Sequence, residues 1–385
     1  MKEEKAVHLE AGRKMGRILR YYSAATPLKN FRRDQVAKMD VRIGQLGGKP
    51  AKRLVIHLRS NGCGWKRSGG CTMCGFWAET AQQKDKISVE DFVHQFEGVL
   101  KRFDIREYPI VCIYNAGSIL NEQEIPIEAL ERIVKMISAV PEIAQVVFES
   151  RIDYFNSQKL SRLKGILKDK DLLIGVGLES ANDIVRDLCI HKGLDKRVFE
   201  RKLELAKSIG IKPVVYVLIK PLFLTEAEAI DDAVATTGYL CDLGIQNIHY
   251  ETMTIENHTL AHALFGLGQY QLPWLWTIIE IIERVSSRAR PFVSPFSYIT
   301  QAEAVPHNCP SCTPQVTKAI LEDYCSSFDL TRLRNLNCAC KSQWLRELEK
   351  GSELNIEQRV LKTLADLSNE LGIQDEPDPN NRTGQ

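Results

Sequence analysis

The hydrophobic pattern between about residues 53 and 255 alternates between two periods. Short runs rich in β-branched residues are followed by segments with a helical period, which is typical of repeated β-α units and a parallel sheet. The predicted strands are residues 53–59 (RLVIHLR), 109–115 (PIVCIYN), 144–150 (AQVVFES), 172–179 (LLIGVGLE), 212–219 (KPVVYVLI) and 246–252 (QNIHYET). Such units can form an open doubly wound sheet or an incomplete barrel, and both architectures place function at the carboxyl ends of the strands.

Helices are predicted between these strands and on either side of them. Residues 88–103 begin with Ser88 and carry Asp91 three positions later, an arrangement that caps a helix. The other helical predictions are residues 126–140, 195–209 and 272–287, together with helices within residues 1–50 ahead of the sheet. From residue 291 to 344 the pattern is irregular, and the polar, proline-bearing residues 375–385 are expected to be disordered.

A chain of 385 residues with 44% hydrophobic content can bury a large core and allows two or three domains. The expected division is a basic helical arm (1–50), a core domain (51–290), a Cys-rich subdomain (291–350), and a helix with a disordered tail (351–385). No apolar run approaches the roughly 18 residues needed to cross a bilayer, and the N-terminal sequence lacks the apolar segment of a secretory signal. We therefore expect a cytoplasmic protein that does not enter a membrane.

The net charge of +2 hides an uneven distribution along the chain. Residues 1–53 carry 14 Lys and Arg against five Asp and Glu, a net +9, which leaves −7 on the rest of the chain. A basic arm of this kind would suit a polyanion such as RNA, and it is equally compatible with a solvated helical arm.

Three cysteines lie in one glycine-rich loop directly after the first predicted strand. The loop reads NGCGWKRSGGCTMCGFW at residues 61–77 and contains Cys63, Cys71 and Cys74. A closed structural zinc site usually has four ligands, whereas a [4Fe–4S] cluster held by three cysteines leaves one iron free to bind S-adenosylmethionine (SAM). The pattern therefore favours a cluster that cleaves SAM reductively, and the alternative is a structural zinc loop completed by His57 or a distant cysteine.

A second group of cysteines lies in the irregular C-terminal region. Cys309 and Cys312 in HNCPSC are followed by Cys338 and Cys340 in CAC. Four thiolates at two ends of one segment fit a structural zinc site, in which His307 could replace one cysteine. A second iron–sulfur cluster and the absence of any metal are the alternatives. The remaining cysteines lie in apolar segments and are expected to be small buried hydrophobes: Cys112, Cys189, Cys241 and Cys325.

Several segments of the chain resemble one known family. The segments are NGCGWKRSGGCTMCGFW (61–77), YNAGSIL (114–120), FESRIDYF (148–155), IGVGLESANDIVRDLCIHKG (174–193), VYVLIKPLFLTEAEAIDD (215–232) and LPWLWTIIEII (272–282). They are similar to radical SAM proteins related to the partner of archaeosine synthase, within the wider class that contains the elongator catalytic subunit. The cysteine spacing C-x7-C-x2-C departs from the common C-x3-C-x2-C, and Met73 stands where many of these enzymes have an aromatic residue.

The resemblance implies a fold and a set of site residues. The fold is a partial (β/α)6 barrel of the TIM type, with helices ahead of it and a small Cys-rich metal-binding region after it. The implied residues are Cys63, Cys71 and Cys74 for the [4Fe–4S] cluster, Asn115, Gly117, Ser118, Glu149, Ser150, Arg151 and Glu179 for SAM, and Glu179 and Lys220 as candidate catalytic or substrate-contacting residues. Two alternatives stay open, because Glu149 and Arg151 could form a salt bridge and Lys220 could simply be solvated.

By resemblance, the protein would generate a 5′-deoxyadenosyl radical and modify a nucleoside in tRNA. The relatives cleave a C–N bond in a lysine-bearing 7-deazaguanine of the D-loop, and a separate synthase installs the lysine. The implied partners are tRNA, that synthase and an electron donor of the flavodoxin or ferredoxin type. The alternatives are a radical reaction on another nucleobase or small molecule, and a non-catalytic iron–sulfur or zinc RNA-binding module.

Overall fold

The computed structural model of the chain describes residues 2–27, 29–80, 86–296 and 299–373, with side chains described from residue 8 onward. These residues contain one eight-stranded sheet. Its strands are β1 (Lys38–Leu46), β2 (Lys49–Leu58), β3 (Ile110–Asn115), β4 (Gln145–Glu149), β5 (Asp171–Glu179), β6 (Lys212–Ile219), β7 (Ile248–Thr252) and β8 (Phe292–Val293). The predicted C-terminal disorder of residues 375–385 lies outside the described residues.

The strand order in the sheet follows the order in the chain, from β1 at one edge to β8 at the other. β1 and β2 are antiparallel, and every later neighbour is parallel. A doubly wound sheet would reverse its strand order, so the sequential order identifies the partial barrel and confirms the predicted fold class. The six predicted strands correspond to β2 through β7.

Alternate residues of each strand face opposite sides of this curved sheet, as the two-residue period requires. On β2, Leu54 and Ile56 belong to the large core beneath the helices, whereas Val55 belongs to a smaller cluster inside the barrel. Nearly continuous apolar runs such as IVCIYN are therefore buried on both faces, which is typical of parallel strands.

Helices cover the outer face of the sheet and the loops at its carboxyl end. They are α1 (Lys2–Ala24), α2 (Val89–Leu100), α3 (Ile127–Ser138), α4 (Ser157–Leu167), α5 (Lys196–Ser208), α6 (Glu226–Asp242), α7 (Leu260–Gly266), α8 (Leu275–Val285), α9 (Thr313–Lys318), α10 (Cys325–Ser327), α11 (Thr331–Arg334), α12 (Lys341–Glu349) and α13 (Ile356–Leu371). Short 3₁₀ or π segments span Gly64–Ser68, Phe76–Glu79, Ile105–Glu107, Ile152–Tyr154, Val185–Cys189 and Ala319–Tyr324. The helices α1, α7 and α13 form a second core with the loops at the carboxyl end of the sheet. Ser88 and Asp91 form the predicted capping box of α2. Within the described chain, none of these helices is both long and apolar enough to span a membrane.

Residues 38–50 differ from the prediction that residues 1–50 are helical ahead of the sheet. After α1 the chain forms the hairpin β1–β2, whose turn is Gly47–Gly48 with φ of 58° and 76°. Two adjacent positive φ values are the requirement of a tight hairpin turn, and glycine meets it without strain. The apolar positions Val41 and Ile43 of β1 are 49% and 56% exposed, so this edge strand carries no pattern of core burial.

The C-terminal region packs directly against the barrel. Cys312, Val316 and Trp344 belong to the same buried core as Trp276 of α8. At the other side, Val360 and Leu364 of α13 share a second core with residues of α1. The first and last described helices are therefore neighbours on one side of the molecule.

Candidate functional site

The loop that follows β2 at the carboxyl end of the barrel carries the predicted cysteine trio. Cys63 begins the short helical turn Gly64–Ser68, and the loop then reverses through Gly69, whose φ is 113°. A Cβ atom on Gly69 would lie 2.9 Å from the Cα of Gly16 in α1. The loop is therefore seated on α1 by backbone-to-backbone contact that only glycine permits.

Cys63, Cys71 and Cys74 are half-buried and all line one cavity. Burial, with Glu124 and Cys71 nearby, raises the pKa of the Cys63 thiol to about 11, and burial raises the pKa of the Cys74 thiol to about 12. Thiols of this kind become thiolates when a metal supplies positive charge.

The spacing of the trio differs from the spacing that one tetrahedral ion requires. The three Sγ atoms do not all lie within 4.8 Å of one another, the separation that groups the cysteines of the C-terminal region. A zinc ion with bonds of 2.3 Å would hold its thiolates about 3.8 Å apart. The wider spacing suits a polynuclear cluster.

The C-terminal cysteines have the opposite geometry. Cys309, Cys312, Cys338 and Cys340 place all four Sγ atoms within 4.8 Å of one another. The distances from Cys309 to Cys312 and Cys338 are 3.6 and 3.5 Å, and Cys312 lies 3.6 Å from Cys340. These separations match the edges of a tetrahedron around one ion. His307 is not part of the group, because its Nδ1 contacts the carbonyl of Val305.

A glutamate that the sequence reasoning missed connects the cysteine loop to the loop after β3. Glu124 is buried, and its two oxygens accept hydrogen bonds from the backbone N–H groups of Gly64 and Ser118 and from the side chains of Asn115 and Asn121. Burial raises the pKa of Glu124, and these hydrogen bonds oppose the rise. The carboxylate fixes the two loops relative to each other.

The predicted SAM-binding segment after β3 has two parts with different positions. Asn115 and Gly117 line the cavity beside the cysteines, and Asn115 Oδ1 is buried without a hydrogen-bond partner in the described chain. Ser118 is instead fully buried behind them, and its Oγ accepts a hydrogen bond from the backbone N–H of Arg151 at 3.1 Å. Asn115 and Gly117 are available to a ligand, whereas Ser118 supports the loop.

Glu149 and Arg151, at the end of β4, have different hydrogen-bond partners. Glu149 faces the cavity and accepts a hydrogen bond from Tyr216 OH at 2.7 Å. Arg151 donates to the carbonyls of Lys192 and Gly193 at 2.7 and 2.9 Å and pairs with Asp153 at 2.7 Å. The alternative of a salt bridge between Glu149 and Arg151 is therefore not what the structure contains. Ser150 is buried and also lines the cavity.

Arg151 also contacts the cysteine loop. Its guanidinium carbon lies 5.0 Å from the ring centre of Trp65, the second residue after Cys63. The indole N–H of Trp65 donates to the carbonyl of His191 at 2.9 Å. These contacts join the cysteine loop, the end of β4 and the segment after β5. The opening that these three segments surround is the mouth of the cavity.

Glu179 ends β5 in a strained conformation beside a lysine that the sequence reasoning did not select. Its φ is 70°, and the register shifts between Gly177 and Glu179. The Oε1 atom accepts a hydrogen bond from Lys192 Nζ at 2.7 Å, and both side chains line the cavity. Burial disfavours the charged ammonium, but Glu179 and Cys71 together raise the pKa of Lys192. Positive φ in a non-glycine residue is a frequent feature of functional sites.

Lys220 lies apart from this mouth. Its Nζ is buried in an ion pair with Glu226, which also bonds Thr277 of α8, and it faces the ring of Tyr270 at 5.8 Å. Tyr270 OH donates to the carbonyl of Lys220 at 2.8 Å. Lys220 is not among the described residues that line the cavity. Its position at the end of β6 led to the prediction that Lys220 contacts the substrate. Its positive φ of 56° instead turns the residue toward the helical layer.

The cavity has a volume of about 770 Å³ and continues from the mouth through the barrel. At the mouth it is lined by the cysteines, and at the opposite end by Gly47 and Lys212. A cavity of this size accommodates a nucleoside-sized ligand together with a substrate side chain. The site therefore combines a three-thiol loop, backbone and polar groups around it, and an enclosed space.

Comparisons with known proteins were made on sequence and on structure. No protein-family model matches the chain. Archaeosine synthase subunit beta of Methanosarcina acetivorans is 33% identical over 310 residues, which is 79% of this chain and 87% of the relative. The protein of the same name from Thermococcus kodakarensis is 29% identical over 80% of this chain and 94% of the relative. An uncharacterised protein of Methanocaldococcus jannaschii is 32% identical over 77% of this chain and 82% of its own length.

Solved structures with a similar arrangement are more distant. Elp3 of Methanocaldococcus infernus, with an N-terminal deletion, has a TM-score of 0.43 at 13% identity, covering 60% of this chain and 57% of that chain. Methylornithine synthase has a TM-score of 0.41 at 11% identity, covering 90% of this chain and 91% of that chain. The sequence relatives carry the assignment, since the identity and the coverage of the Methanosarcina protein are both high. The chain belongs to the archaeosine synthase subunit beta family.

Proposed function

We propose that the protein is a radical SAM enzyme that acts in the modification of tRNA. The observation that carries this proposal is the cysteine trio, which opens onto a large cavity at the carboxyl end of a partial barrel. The spacing of its Sγ atoms is wider than one ion requires. The trio also supplies only three thiolates, whereas a closed structural site has four ligands. When a [4Fe–4S] cluster and SAM are bound and reduced, they supply a 5′-deoxyadenosyl radical.

The residues around the trio would hold and orient SAM. Asn115 offers an unpaired amide oxygen and Gly117 a half-buried backbone next to the cysteine loop, and both suit an amino group. Ser150, which carries a hydroxyl group, lines the same wall of the cavity. Glu179, held by Lys192, would accept a hydrogen bond from a ribose or substrate hydroxyl. Arg151 and Glu124 would position the loops, because their hydrogen bonds are already made within the protein.

The substrate proposed is a lysine-bearing 7-deazaguanine in tRNA, whose C–N bond would be cleaved. Support comes from the name shared by two relatives, archaeosine synthase subunit beta, and from exposed basic residues of the N-terminal region, including Arg20, Lys29 and Arg32. The word subunit in that name also supports a synthase partner. An electron donor of the flavodoxin or ferredoxin type would supply the reducing electron.

The four C-terminal cysteines would hold a structural zinc ion. Their compact group fits one tetrahedral ion better than a cluster. The indole N–H of Trp276 points at Cys340 Sγ at 3.3 Å, which is the kind of outer hydrogen bond that stabilises a thiolate ligand. Such a site would fasten the C-terminal region to α8.

The enzyme proposal is tested by anaerobic reconstitution with iron and sulfide, followed by addition of dithionite and SAM. We expect the wild type to form 5′-deoxyadenosine and Cys71→Ala to form none. Cys241→Ala, at a cysteine outside both groups, controls for loss of a thiol and should behave like the wild type. A wild type that binds zinc at the trio and leaves SAM intact would refute the proposal.

The substrate proposal needs a separate experiment. tRNA from a strain lacking the gene is digested to nucleosides and analysed by mass spectrometry. We expect the lysine adduct to accumulate and archaeosine to disappear, with both reversed by the wild-type gene and not by Cys71→Ala. An unchanged nucleoside profile would show that the radical reaction serves another substrate.

A further inference from the structure

The lining of the barrel cavity combines an apolar part with a charged part. The apolar part includes Ile110, Tyr114 and Val147, which line the cavity and belong to a buried cluster on the inner face of the sheet. The charged part includes Arg53 on β2 and Glu149 at the end of β4. A ligand with an aliphatic stem and a charged end suits such a lining, because each portion then meets surroundings of its own polarity.

Arg53 brings a cation into the cavity with one buried donor that has no acceptor among the described residues. Its Nε is buried and has no hydrogen-bond partner in the described chain, and its guanidinium carbon lies 6.0 Å from the ring centre of Phe292. A buried donor without an acceptor costs about 1–3 kcal/mol, and more when it is charged. A guanidinium binds a carboxylate through two parallel hydrogen bonds, so an anionic ligand group would remove this cost.

Glu149 supplies a negative charge to the same cavity. It is the one residue of β4 that is not fully buried, and it accepts its hydrogen bond from Tyr216 rather than from Arg53. Burial raises the pKa of Glu149, while Tyr216 and the charge of Arg53 oppose this rise. The two charges therefore interact across the cavity without being joined in an ion pair, which leaves each able to bind a ligand group of opposite charge.

We propose that Arg53 and Glu149 bind the carboxylate and the ammonium of an α-amino acid group at the end of a substrate side chain. Its methylene stem would lie against the apolar lining. The inference rests on the proposed function, because it assigns the end of the substrate that is far from the cysteine loop. Arg53 precedes His57 by four strand positions, about 13 Å along β2, and the cysteine loop begins only after β2 ends. Register pairs Arg53 through Ile110 with Gln145 at the start of β4, whereas Glu149 ends that strand. The carboxylate would thus be held deeper in the barrel than the ammonium, with the bond to be broken near the mouth.

Isothermal titration calorimetry on the reconstituted full chain tests this assignment with three probes. Nε-acetyl-L-lysine carries both charged groups, N-acetylcadaverine lacks the carboxylate, and 6-acetamidohexanoate lacks the ammonium. We expect the wild type to bind Nε-acetyl-L-lysine about 10- to 100-fold more tightly than either analogue. Arg53→Gln should lose the preference over N-acetylcadaverine, and Glu149→Gln should lose the preference over 6-acetamidohexanoate.

The design separates recognition from folding, because each variant should lose one preference and keep the other. Arg106→Gln, at an exposed arginine paired with Asp104, controls for loss of a positive charge and should bind all probes like the wild type. Equal binding of the three probes by the wild type, including no binding at millimolar concentration, would overturn the inference. So would variants that keep both preferences or lose all binding while melting like the wild type.

Failure of the proposed function gives a different result. Wild-type protein that distinguishes the three probes but forms no 5′-deoxyadenosine would refute the radical SAM proposal alone. Wild-type protein that forms 5′-deoxyadenosine but binds the probes equally would refute the amino acid site alone.

Discussion

Glu124 accepts a hydrogen bond from the backbone N–H of Gly64 at 2.9 Å, although the two residues are 60 positions apart. Its second oxygen accepts from the backbone N–H of Ser118 at 2.6 Å. One carboxylate thus joins the first residue after Cys63 to the loop that would hold SAM. Any ligand bound by both loops depends on this link.

Replacing this carboxylate should weaken the cluster site. Glu124→Gln places an amide donor where backbone N–H groups also donate, and we expect it to lower the free energy of unfolding by about 1–3 kcal/mol. Iron content after reconstitution should fall with it. Glu122→Gln is the matched control, because Glu122 has a side chain 58% exposed and only a surface ion pair with Lys159. Equal iron content and stability in the two variants would contradict the role assigned to Glu124.

Gly117 leaves no room for a side chain. A Cβ atom there would lie 2.0 Å from Glu124 Oε2 and 3.0 Å from Cys63 Cα. We expect Gly117→Ala to displace the carboxylate and to reduce both iron content and SAM binding, measured by absorbance and equilibrium dialysis. Gly165→Ala in α4 meets no atom within 4 Å, and it should stabilise the fold by up to about 1 kcal/mol through helix propensity. If both alanine variants assemble the cluster normally, the close packing at Gly117 is not functionally important.

Zinc analysis distinguishes the two cysteine groups. We expect purified wild-type protein to hold about one zinc ion per chain at the C-terminal group, measured by inductively coupled plasma mass spectrometry. Cys312→Ser should lose the zinc and lower the melting temperature, because the group is attached to Trp276 in the core. Cys241→Ser, outside the group, should keep the metal. Zinc retained by Cys312→Ser at the wild-type level would place the ion elsewhere.

The stability of the fold should depend on pH through Asp232. Burial raises the pKa of this carboxyl from 3.8 to about 6, although Ser180 Oγ donates a hydrogen bond to it. A raised carboxyl pKa means that the native state favours the protonated form, so stability is lost as pH rises from about 4 to about 6. The cost above that range is about 3 kcal/mol.

Asp232→Asn should remove this cost while keeping an acceptor for Ser180. Urea unfolding is measured across pH 4 to 8, and we expect the advantage of the variant over the wild type to grow up to about pH 6 and then stay constant. Asp231→Asn, at a neighbour whose side chain is 76% exposed, should show no such pH dependence. A constant difference between Asp232→Asn and the wild type over the whole range would contradict the assignment.

The sequence predicted those parts of the fold that depend on local signals. Strands β2 to β7 follow from short β-branched runs, and the start of α2 follows from Ser88 and Asp91, which are three positions apart. The two cysteine groups were visible because their spacing within a short segment is itself the signal. Each of these features is decided by neighbours in the chain.

Features that depend on distant neighbours could not be predicted in the same way. β1 is an edge strand whose Val41 and Ile43 face outward, so its pattern did not indicate a buried face. Glu124 gave no motif, because it lies in a polar turn, NEQE at residues 121–124, where a carboxylate is usually exposed to solvent. Lys192 and Lys220 show the same limit, since backbone direction after a strand decides which lysine reaches the cavity.

The contact between Gly16 and Gly69 has a consequence for how the protein is made. The cysteine loop rests on α1, and α1 in turn shares its buried face with α13, whose last residue is Leu371. The loop therefore obtains its full support only after synthesis has passed almost the entire described chain. We therefore expect a cluster to be inserted after the chain is complete and not during translation.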